Sequence, residues 1–259
     1  MSNQTTETNY KEIAKQARIK VLDLVYKAQT SHIGSNFSCI DILTVLFEKI
    51  NLEKDIFVLS AGWKAASLYY FMWRKGLITE EQLNSYCQDG SKFIGLSESI
   101  HPFIKFAGGS MGMGLPAAVG FALAKKLKKE DGNVYVLMSD GEIAIGTTWE
   151  SALIAAHHKL DNLVVLIDFN RLQAMGKIED ILKLPEIKQD LFGWDILGWP
   201  GHDYGWIEQA LKPRKGLPNM NFMNTTKGKG VSIFENNNLW HYKAPSREEH
   251  ELALKELYG

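Results

Sequence analysis

The sequence predicts an α/β protein in which a mostly parallel sheet carries helices on both faces. Five short apolar runs have the length of buried strands, and helical segments separate them along the chain. No internal repeat, low-complexity tract or linker rich in Pro and Gly divides the 259 residues. We therefore expect a single domain over residues 1–259, with ligands bound at the carboxyl ends of the strands.

The first elements are helices that the spacing of apolar residues predicts. Residues 10–26 place apolar side chains at helical spacing, as in an amphipathic helix. Ser38 and Asp41 resemble a capping box, which predicts that a helix over residues 39–50 begins there. Thr79 is followed by two glutamates, so another helix is expected to begin after it.

The strands and the later helices alternate along the rest of the chain. The apolar runs that predict strands are residues 56–59, 134–138, 163–167, 195–197 and 220–223. Helical segments at residues 115–129 and 147–160 lie between them, and Ser246 with Glu249 caps a last helix that ends at Tyr258. This alternation is typical of parallel sheets.

Composition excludes several classes of function. With 29 basic and 30 acidic residues the net charge is −1, which argues against binding to nucleic acid or to a membrane surface. Cys39 and Cys87 are too few for a disulfide framework and suit a reducing compartment. The polar amino terminus is unlike a signal peptide, and no window approaches about 18 uninterrupted apolar residues. We expect a cytoplasmic protein.

Polar side chains follow two of the predicted strands at the point where each strand ends. Asp140, Gly141 and Glu142 come after residues 134–138, with no Lys or Arg nearby in the sequence. Asp168 and Asn170 end the next strand, and adjacent parallel strands bring such ends together. A carboxylate at a strand end is more often a turn or helix cap, but carboxylate, amide and carbonyl oxygens suit Mg²⁺ or Ca²⁺. The paired spacing therefore predicts a metal ion.

A glycine-rich stretch, AGGSMGMG at residues 107–114, comes directly before the helix over residues 115–129. Glycines allow a ligand to approach the backbone closely, and a helix start offers free N–H groups, which together favour a diphosphate. Tight packing between turn and helix explains the glycines about as well. The predicted metal site favours the diphosphate.

These residues together resemble the amino-terminal, diphosphate-binding part of transketolase, a thiamine-diphosphate enzyme. The resemblance covers nearly the whole chain and includes AQTSHIGSNFSCIDILTVL, FVLSAGW, GGSMGMGL, SDGEIAIGTTWESA, KLDNLVVLIDFNRLQAMG and NTTKGKGVSIFENNNLWHYKAP. The Asp-Gly pair and the later Asn form the general thiamine-diphosphate signature. His32, TKGKG and the pair Trp240-His241 are specific to transketolase-like proteins.

The resemblance implies roles for individual residues. Mg²⁺ (or Ca²⁺) would be held by Asp140, the Asn170 side chain and the Leu172 carbonyl. His32 would lie beside the thiazolium, and His241 and Glu150 would join it as catalytic residues. The implied cofactor contacts are Gly109, Ser110, Met111, Asp140, Gly141, Glu142, Asn170 and His241. The histidines that match no catalytic position, and for which a structural role is preferred, are His101, His157, His158, His202 and His250.

Three positions depart from the family. Trp63 stands where transketolases have the histidine of Ser-Lys-Gly-His, and Leu96 stands where they have the histidine of Gly-His-Pro. Ile145 stands where they have the glutamate of Glu-Gly. A pocket that lacks these polar groups should bind a polyhydroxylated sugar phosphate weakly, because buried hydroxyls without partners are costly. Glu150, which belongs in the family to a carboxylate network linking paired active sites, is retained.

The resemblance also implies a partner. Full-length relatives carry a second domain with the glutamate that activates the aminopyrimidine, and we expect this pyrimidine-binding part on a separate carboxyl-terminal subunit in an α₂β₂ assembly. The expected function is therefore the amino-terminal subunit of a split transketolase-like enzyme, which transfers two-carbon ketol units between sugar phosphates. One alternative is a thiamine-diphosphate lyase or acyl transferase that acts on a modified sugar or 2-oxo acid. Another is a non-catalytic regulatory partner of a complete transketolase.

Overall fold

A parallel sheet of five strands organises the protein, whose computed structural model describes residues 2–183 and 191–259. The strands are β1 (Ile56–Leu59), β2 (Val134–Ser139), β3 (Leu163–Phe169), β4 (Asp195–Pro200) and β5 (Asn219–Asn224). Their order across the sheet is β1-β2-β3-β5-β4, and every neighbouring pair is parallel. The predicted fold class is confirmed, and each predicted strand is present.

Helices cover both faces of the sheet. They are α1 (Ser2–Ala28), α2 (Ile33–Ser38), α3 (Ile40–Lys49), α4 (Ala65–Arg74), α5 (Glu80–Asn84), α6 (Gly114–Lys128), α7 (Gly146–His157), α8 (Ile178–Ile181), α9 (Tyr204–Ala210) and α10 (Arg247–Tyr258). Short 3₁₀ turns span Gly62–Lys64, Asp140–Ala144, Leu191–Gly193 and Asn238–His241. Within the described ranges, no helix has both the length and the apolar character needed to cross a membrane.

Alternate residues of the strands enter two separate cores. Leu137 and Leu166 pack with α1, α3 and α4 on one face, whereas Val136 and Val165 pack with α6 and α7 on the other. This alternation follows from the two-residue period of a strand, and burial on both faces explains why the strands read as continuous apolar runs. The register pairs Ser139 of β2 with Asp168 of β3, so the polar residues that follow both strands leave the sheet at one edge.

Two of the helix starts agree with the sequence. Thr79 accepts from the backbone N–H of Gln82, whose side chain accepts from the Thr79 N–H, and this capping box begins α5. Ser246 and Glu249 form the same arrangement at the start of α10. Each box satisfies N–H groups that the first helical turn leaves unpaired.

The predicted capping box of Ser38 and Asp41 is wrong. Helix α3 begins at Ile40 after Cys39, which makes no side-chain cap hydrogen bond. The Ser38 hydroxyl donates to the carboxylate of Asp168, and Asp41 binds Arg18. Because both side chains are buried, partners supplied by the fold replace the local cap. Helix α2, which comes directly before Cys39, was also not predicted from the sequence.

Candidate functional site

The edge of the sheet gathers the residues that the sequence assigned to a metal ion. The backbone N–H of Arg171 donates to Oδ2 of Asp140 at 2.6 Å, so this carboxylate lies against the turn that follows β3. In the same turn the Leu172 N–H donates to Oδ1 of Asn170 at 3.0 Å. Asp140 and Asn170 are both buried. One carboxylate, one amide and the Leu172 carbonyl are thus brought to a single turn.

The environment of Asp140 favours a cation. Burial raises the pKa of Asp140 to about 7, and the neighbouring charge of Asp168 adds to this effect. The N–H of Arg171 and the charge of Lys64 act in the opposite direction. A carboxylate whose ionised form is disfavoured in this way gains from a nearby positive charge, as a bound metal ion would supply.

Lys64 supplies a positive charge that the sequence did not reveal. Its ammonium contacts the carboxylate of Asp168, and both side chains are almost fully buried. Burial would raise the pKa of Asp168, but Lys64 and the hydroxyls of Ser38 and Thr225 hold it below its ordinary value. The sequence shows no Lys or Arg near Asp-Gly-Glu, but the fold brings Lys64 close to it. Lys64 forms its ion pair with Asp168, so Asp140 has no ion pair among the described residues.

A second lysine, from the TKGKG motif, lies at the same turn. The ammonium of Lys227 is 3.3 Å from the Leu172 carbonyl oxygen and 3.0 Å from Nδ1 of His241. Burial lowers the pKa of Lys227 to about 8, and the charge of Lys64 contributes. The motif was noticed in the sequence, but only the fold places this lysine beside Leu172.

The two predicted histidines meet next to Lys227. The His32 backbone N–H donates to the His241 carbonyl at 3.0 Å, and the ring centroids are 4.9 Å apart. Burial lowers the pKa of His32 to about 4 and that of His241 to about 3, with the charge of Lys227 as the next cause. Both imidazoles are therefore neutral near pH 7.

Glu142 connects the glycine-rich loop to the strand ends. Its Oε1 accepts from the Gly112 N–H at 3.1 Å and from the Ser60 hydroxyl, and its Oε2 accepts from the Ser139 N–H at 2.8 Å. Burial raises the pKa of Glu142 above its ordinary value, against these hydrogen bonds. The carboxylate is fully buried. A direct contact of Glu142 with a cofactor stays a prediction. In the structure, the hydrogen bonds of Glu142 hold the glycine-rich loop against the strand ends.

The glycine loop leaves no space for side chains where it meets its neighbours. Gly112 has φ +79°, and a Cβ atom there would lie 2.4 Å from Cγ2 of Ile145. A Cβ atom on Gly109 would lie 3.3 Å from Cδ2 of Leu96. Two of the three positions that depart from the family therefore pack against this loop.

The side chains of Met111 and Gln173 lie over Gly141. A Cβ atom on Gly141 would be 3.0 Å from Cε of Met111 and 3.4 Å from Cδ of Gln173. The Gln173 side-chain nitrogen is buried and has no hydrogen-bond partner in the described part of the chain. An unpaired donor of this kind is costly, and an anionic oxygen of a ligand would satisfy it.

The remaining predicted site residues are exposed. Ser110 and Met111 lie at the surface of the glycine loop, and Glu150 is exposed on α7. Leu153 and Ile154, also on α7, are 51% and 49% exposed, which gives Glu150 an apolar surrounding. The roles of Ser110, Met111 and Glu150 stay predictions.

Two further histidines, His202 and His250, form hydrogen bonds with residues distant in the sequence. Nδ1 of His202 is 2.7 Å from Oδ2 of Asp41, and its Nε2 accepts from the Thr226 N–H at 2.8 Å. His250 contacts Asp23 at 2.7 Å. These contacts join elements of the fold.

The donor set suits a hard cation rather than zinc. Across residues 2–183 and 191–259, no three or more His, Cys, Asp or Glu side chains are grouped so that they could hold a metal ion. One carboxylate, one amide oxygen and one backbone carbonyl suit Mg²⁺ or Ca²⁺ when phosphate oxygens and water complete the coordination. The Lys227 ammonium and the unpaired Gln173 nitrogen are donors that suit phosphate groups.

Comparison with known proteins gives a consistent result. The family profile described as "Transketolase, thiamine diphosphate binding domain" matches residues 9–259. The A subunit of apulose-4-phosphate transketolase from Phocaeicola vulgatus is 34% identical, with 94% of this chain and 92% of the relative covered. The protein of the same description from Actinobacillus succinogenes is 36% identical, with 96% and 97% covered. Human transketolase is 30% identical over 96% of this chain.

Solved structures show the same relation. Transketolase from Campylobacter jejuni superposes with a TM-score of 0.88 at 29% identity and covers 96% of this chain. Transketolase from Leishmania mexicana superposes with a TM-score of 0.87 at 25% identity. The chain spans 42% of the length of human and Campylobacter jejuni transketolase. It spans nearly the full length of the two apulose-4-phosphate transketolase relatives.

Proposed function

The chain belongs to the transketolase family of thiamine diphosphate-binding domains, and on that premise we propose that it is the diphosphate-binding subunit of a split transketolase-like enzyme. The proposed reaction is transfer of a two-carbon ketol unit between sugar phosphates. The observation that carries the proposal is the convergence of Asp140, Asn170 and Leu172 on one turn, beside Lys227. The chain matches two relatives that are described as single subunits, along nearly their whole length. This match supports a transketolase that is divided into separate subunits.

The turn after β3 would hold the metal and the diphosphate. Asp140, the Asn170 side chain and the Leu172 carbonyl would bind Mg²⁺ or Ca²⁺, and Lys227 would donate to a phosphate oxygen. Gly141 has no side chain of its own, and the side chains of Met111 and Gln173 lie over it, where they would contact the diphosphate. When bound, thiamine diphosphate supplies a thiazolium that accepts the electron pair released as a C–C bond next to a carbonyl breaks.

The two histidines would form hydrogen bonds with the substrate hydroxyls. The Lys227 ammonium can only donate, so Nδ1 of His241 accepts and its hydrogen resides on Nε2. His241 therefore offers an N–H donor to a substrate oxygen near pH 7, where its lowered pKa keeps the imidazole neutral. Nδ1 of His32 is 2.6 Å from the Ser31 hydroxyl, which fixes its ring beside that of His241.

A second chain would complete the site. We propose that a pyrimidine-binding, carboxyl-terminal subunit covers the glycine loop and the exposed face of α7, in an α₂β₂ complex. Met111, Leu153 and Ile154 are all large apolar side chains that are more than a third exposed there. Burial of this apolar surface would drive association. Glu150 lies on the same face, where a residue that links paired active sites would be needed.

We also propose that the enzyme acts in the cytoplasm. Its two cysteines, Cys39 and Cys87, are both free thiols, which suits a reducing compartment.

The substrate would be a small sugar or oxo acid.

Reconstitution tests the proposed function. The purified chain is mixed with the product of a neighbouring reading frame that encodes a pyrimidine-binding half, and ketol transfer from xylulose 5-phosphate and from other ketose phosphates is followed with Mg²⁺ and thiamine diphosphate present. We expect turnover from the mixture and none from either chain alone. Turnover of 2-oxo acids alone would favour the lyase or acyl transferase. Cofactor binding without any turnover would favour the regulatory partner.

A further inference from the structure

Four ring side chains form a continuous row beside the proposed cofactor site. The ring centroids of Trp63 and His32 are 6.5 Å apart, and those of His32 and His241 are 4.9 Å apart. The ring of Tyr242 lies 4.7 Å from that of His241 and 5.9 Å from that of His32, nearly perpendicular to both. We call these four side chains the aromatic row. Its member His241 contacts Lys227, which also contacts the Leu172 carbonyl, so the row lies within reach of the turn after β3.

The aromatic row offers few polar atoms to a ligand. Nδ1 of His241 is occupied by Lys227, and Nδ1 of His32 by the Ser31 hydroxyl. Each imidazole has one other nitrogen, Nε2. Neither Nε2 atom has a hydrogen-bond partner among the described residues. Two such atoms can serve one or two neighbouring oxygens of a substrate. The indole N–H of Trp63 and the hydroxyl of Tyr242 lie at the edges of their rings, and the ring faces themselves are apolar.

Tyr242 has no evident role in stabilising the fold. Its side chain is 68% exposed, and its hydroxyl forms no hydrogen bond with any described residue. An aromatic ring retained for packing would be buried, since the free energy gained is roughly proportional to the apolar area removed from water. The ring instead stands outside the two histidines, where a bound molecule would cover it.

The other two positions that depart from the family, Leu96 and Ile145, are apolar as well. Leu96 packs on Gly109 and is 38% exposed, and Ile145 packs on Gly112. Trp63, Leu96 and Ile145 stand at the three positions where the resembling family has His, His and Glu. No side chain at these positions can donate or accept several hydrogen bonds in the way that a polyhydroxylated substrate requires.

Resting on the proposed function, we propose that the aromatic row is the substrate-binding wall and that it selects deoxygenated sugars over fully hydroxylated ones. A sugar that carries hydrogen in place of a hydroxyl presents a C–H face, which packs against the rings of Trp63 and Tyr242. The Nε2 atoms of His32 and His241 serve the oxygens next to the reacting carbonyl. A further hydroxyl that meets a ring face would be buried without a partner, so it weakens binding. Trp63 and Tyr242 are thus specificity-determining residues.

Matched acceptor pairs test this selectivity in the enzyme assembled with its partner. One pair is 5-deoxyribose and ribose, and the other is lactaldehyde and glyceraldehyde, so the members of each pair differ by one hydroxyl that is not next to the reacting carbonyl. We expect kcat/KM to favour the deoxygenated member of at least one pair by about tenfold or more. Tyr242→Ala and Trp63→His should each reduce that ratio several-fold, mainly through KM. The affinity for thiamine diphosphate, measured by calorimetry, should not change.

Two control variants match these changes away from the row. Tyr258→Ala removes a tyrosine that is 62% exposed on α10, and Trp206→His replaces a tryptophan that is 48% exposed on α9. Both should keep the wild-type ratio. Saturation-transfer NMR on the full chain with Mg²⁺ and thiamine diphosphate gives a readout that does not need turnover, with stronger transfer from protein aromatic protons to the deoxygenated sugar.

The outcomes separate this inference from the proposed function. An active enzyme that prefers the hydroxylated member of both pairs overturns the inference and leaves the proposed function in place. A deoxygenated preference that survives in both Tyr242→Ala and Trp63→His also overturns it. If no acceptor is turned over, NMR decides: equal or absent transfer to both members of each pair overturns the inference. Failure of the assembled wild-type enzyme to bind thiamine diphosphate contradicts the proposed function instead.

Discussion

The buried ammonium of Lys64 contacts the carboxylate of Asp168, at the strand end next to Asp140. The same carboxylate oxygen is 3.4 Å from the side-chain nitrogen of Asn170. Lys64 thus keeps Asp168 ionised, and Asp168 in turn orients the amide that we propose as a metal ligand. The charge of Lys64 lies outside the proposed metal site, but through Asp168 it helps to hold the Asn170 side chain in place.

Replacement of Lys64 by methionine should destabilise the protein strongly. The change leaves Asp168 buried without its cation, and breaking one side of a buried ion pair costs about 3–5 kcal/mol. Urea unfolding measures the loss in the free energy of unfolding. Lys229→Met, which removes a partly exposed ion pair with Glu235, is the control and should cost less than about 1 kcal/mol. Equal losses in the two variants would show that Asp168 does not depend on Lys64.

Replacement of Gln173 by methionine should act in opposite directions on stability and on cofactor binding. Without cofactor, the unpaired buried nitrogen disappears, and the chain should gain on the order of 1 kcal/mol. With cofactor, a donor to the diphosphate is lost, and the affinity should fall by about fivefold or more. Thermal unfolding and calorimetry measure the two effects. Gln209→Met on the exposed side of α9 should change neither, and a loss of stability in Gln173→Met without cofactor would rule out an unpaired donor.

The sequence allowed the sheet and the position of the site to be predicted. The five strands were recognisable because burial on both faces makes them continuous apolar runs. Asp140 and Asn170 could be placed together because both follow parallel strands that were predicted to be neighbours. These inferences needed only local pattern and the topology of a parallel sheet.

Partners that are distant in the sequence could not be predicted. Lys64 and Asp168 are 104 residues apart, and no local pattern distinguishes Lys64 from a surface lysine. Asp41 and His202 are 161 residues apart. The Ser38 side chain was assigned to a helix cap because the cap motif is local, whereas its partner Asp168 is brought in by the fold.

Asp41 gives a prediction for pH dependence. Burial would raise the pKa of Asp41, but the charge of Arg18 and hydrogen bonds from His202 and Arg18 hold it well below its usual range. The folded-state pKa is therefore lower than the unfolded value of about 3.9. The stability that follows is fully present above about pH 4 and is lost as the pH falls toward the folded-state pKa.

Asp41→Asn should accordingly destabilise the protein by about 3 kcal/mol at pH 7, because Arg18 stays buried without its counter-ion. The difference from wild type should shrink at pH 3. Urea unfolding at both pH values measures it, and Asp131→Asn, an exposed position, should show little change at either. A difference that is as large at pH 3 as at pH 7 would mean that the charge of Asp41 is not responsible.

The exposed face of α7 should govern association. Leu153→Glu places a charge on the apolar surface proposed to contact other subunits, where the wild-type side chain is 51% exposed. The dissociation constant of the complex should rise by at least about tenfold. Light scattering and activity, followed together against concentration, measure the effect. Leu252→Glu on α10, where the leucine is 43% exposed, should leave association unchanged. Similar behaviour of both variants would move the interface elsewhere.

The proposed metal and diphosphate site is tested most directly by calorimetric titration of thiamine diphosphate and Mg²⁺ into the complex of this chain with its partner. Asp140→Ala and Asn170→Ala each remove an oxygen ligand and leave the diphosphate charge uncompensated, so each should abolish Mg²⁺-dependent binding. Asp131→Ala, at an exposed carboxylate away from the site, should bind as wild type does. Wild-type affinity in both Asp140→Ala and Asn170→Ala would contradict the placement of the cofactor at the turn after β3.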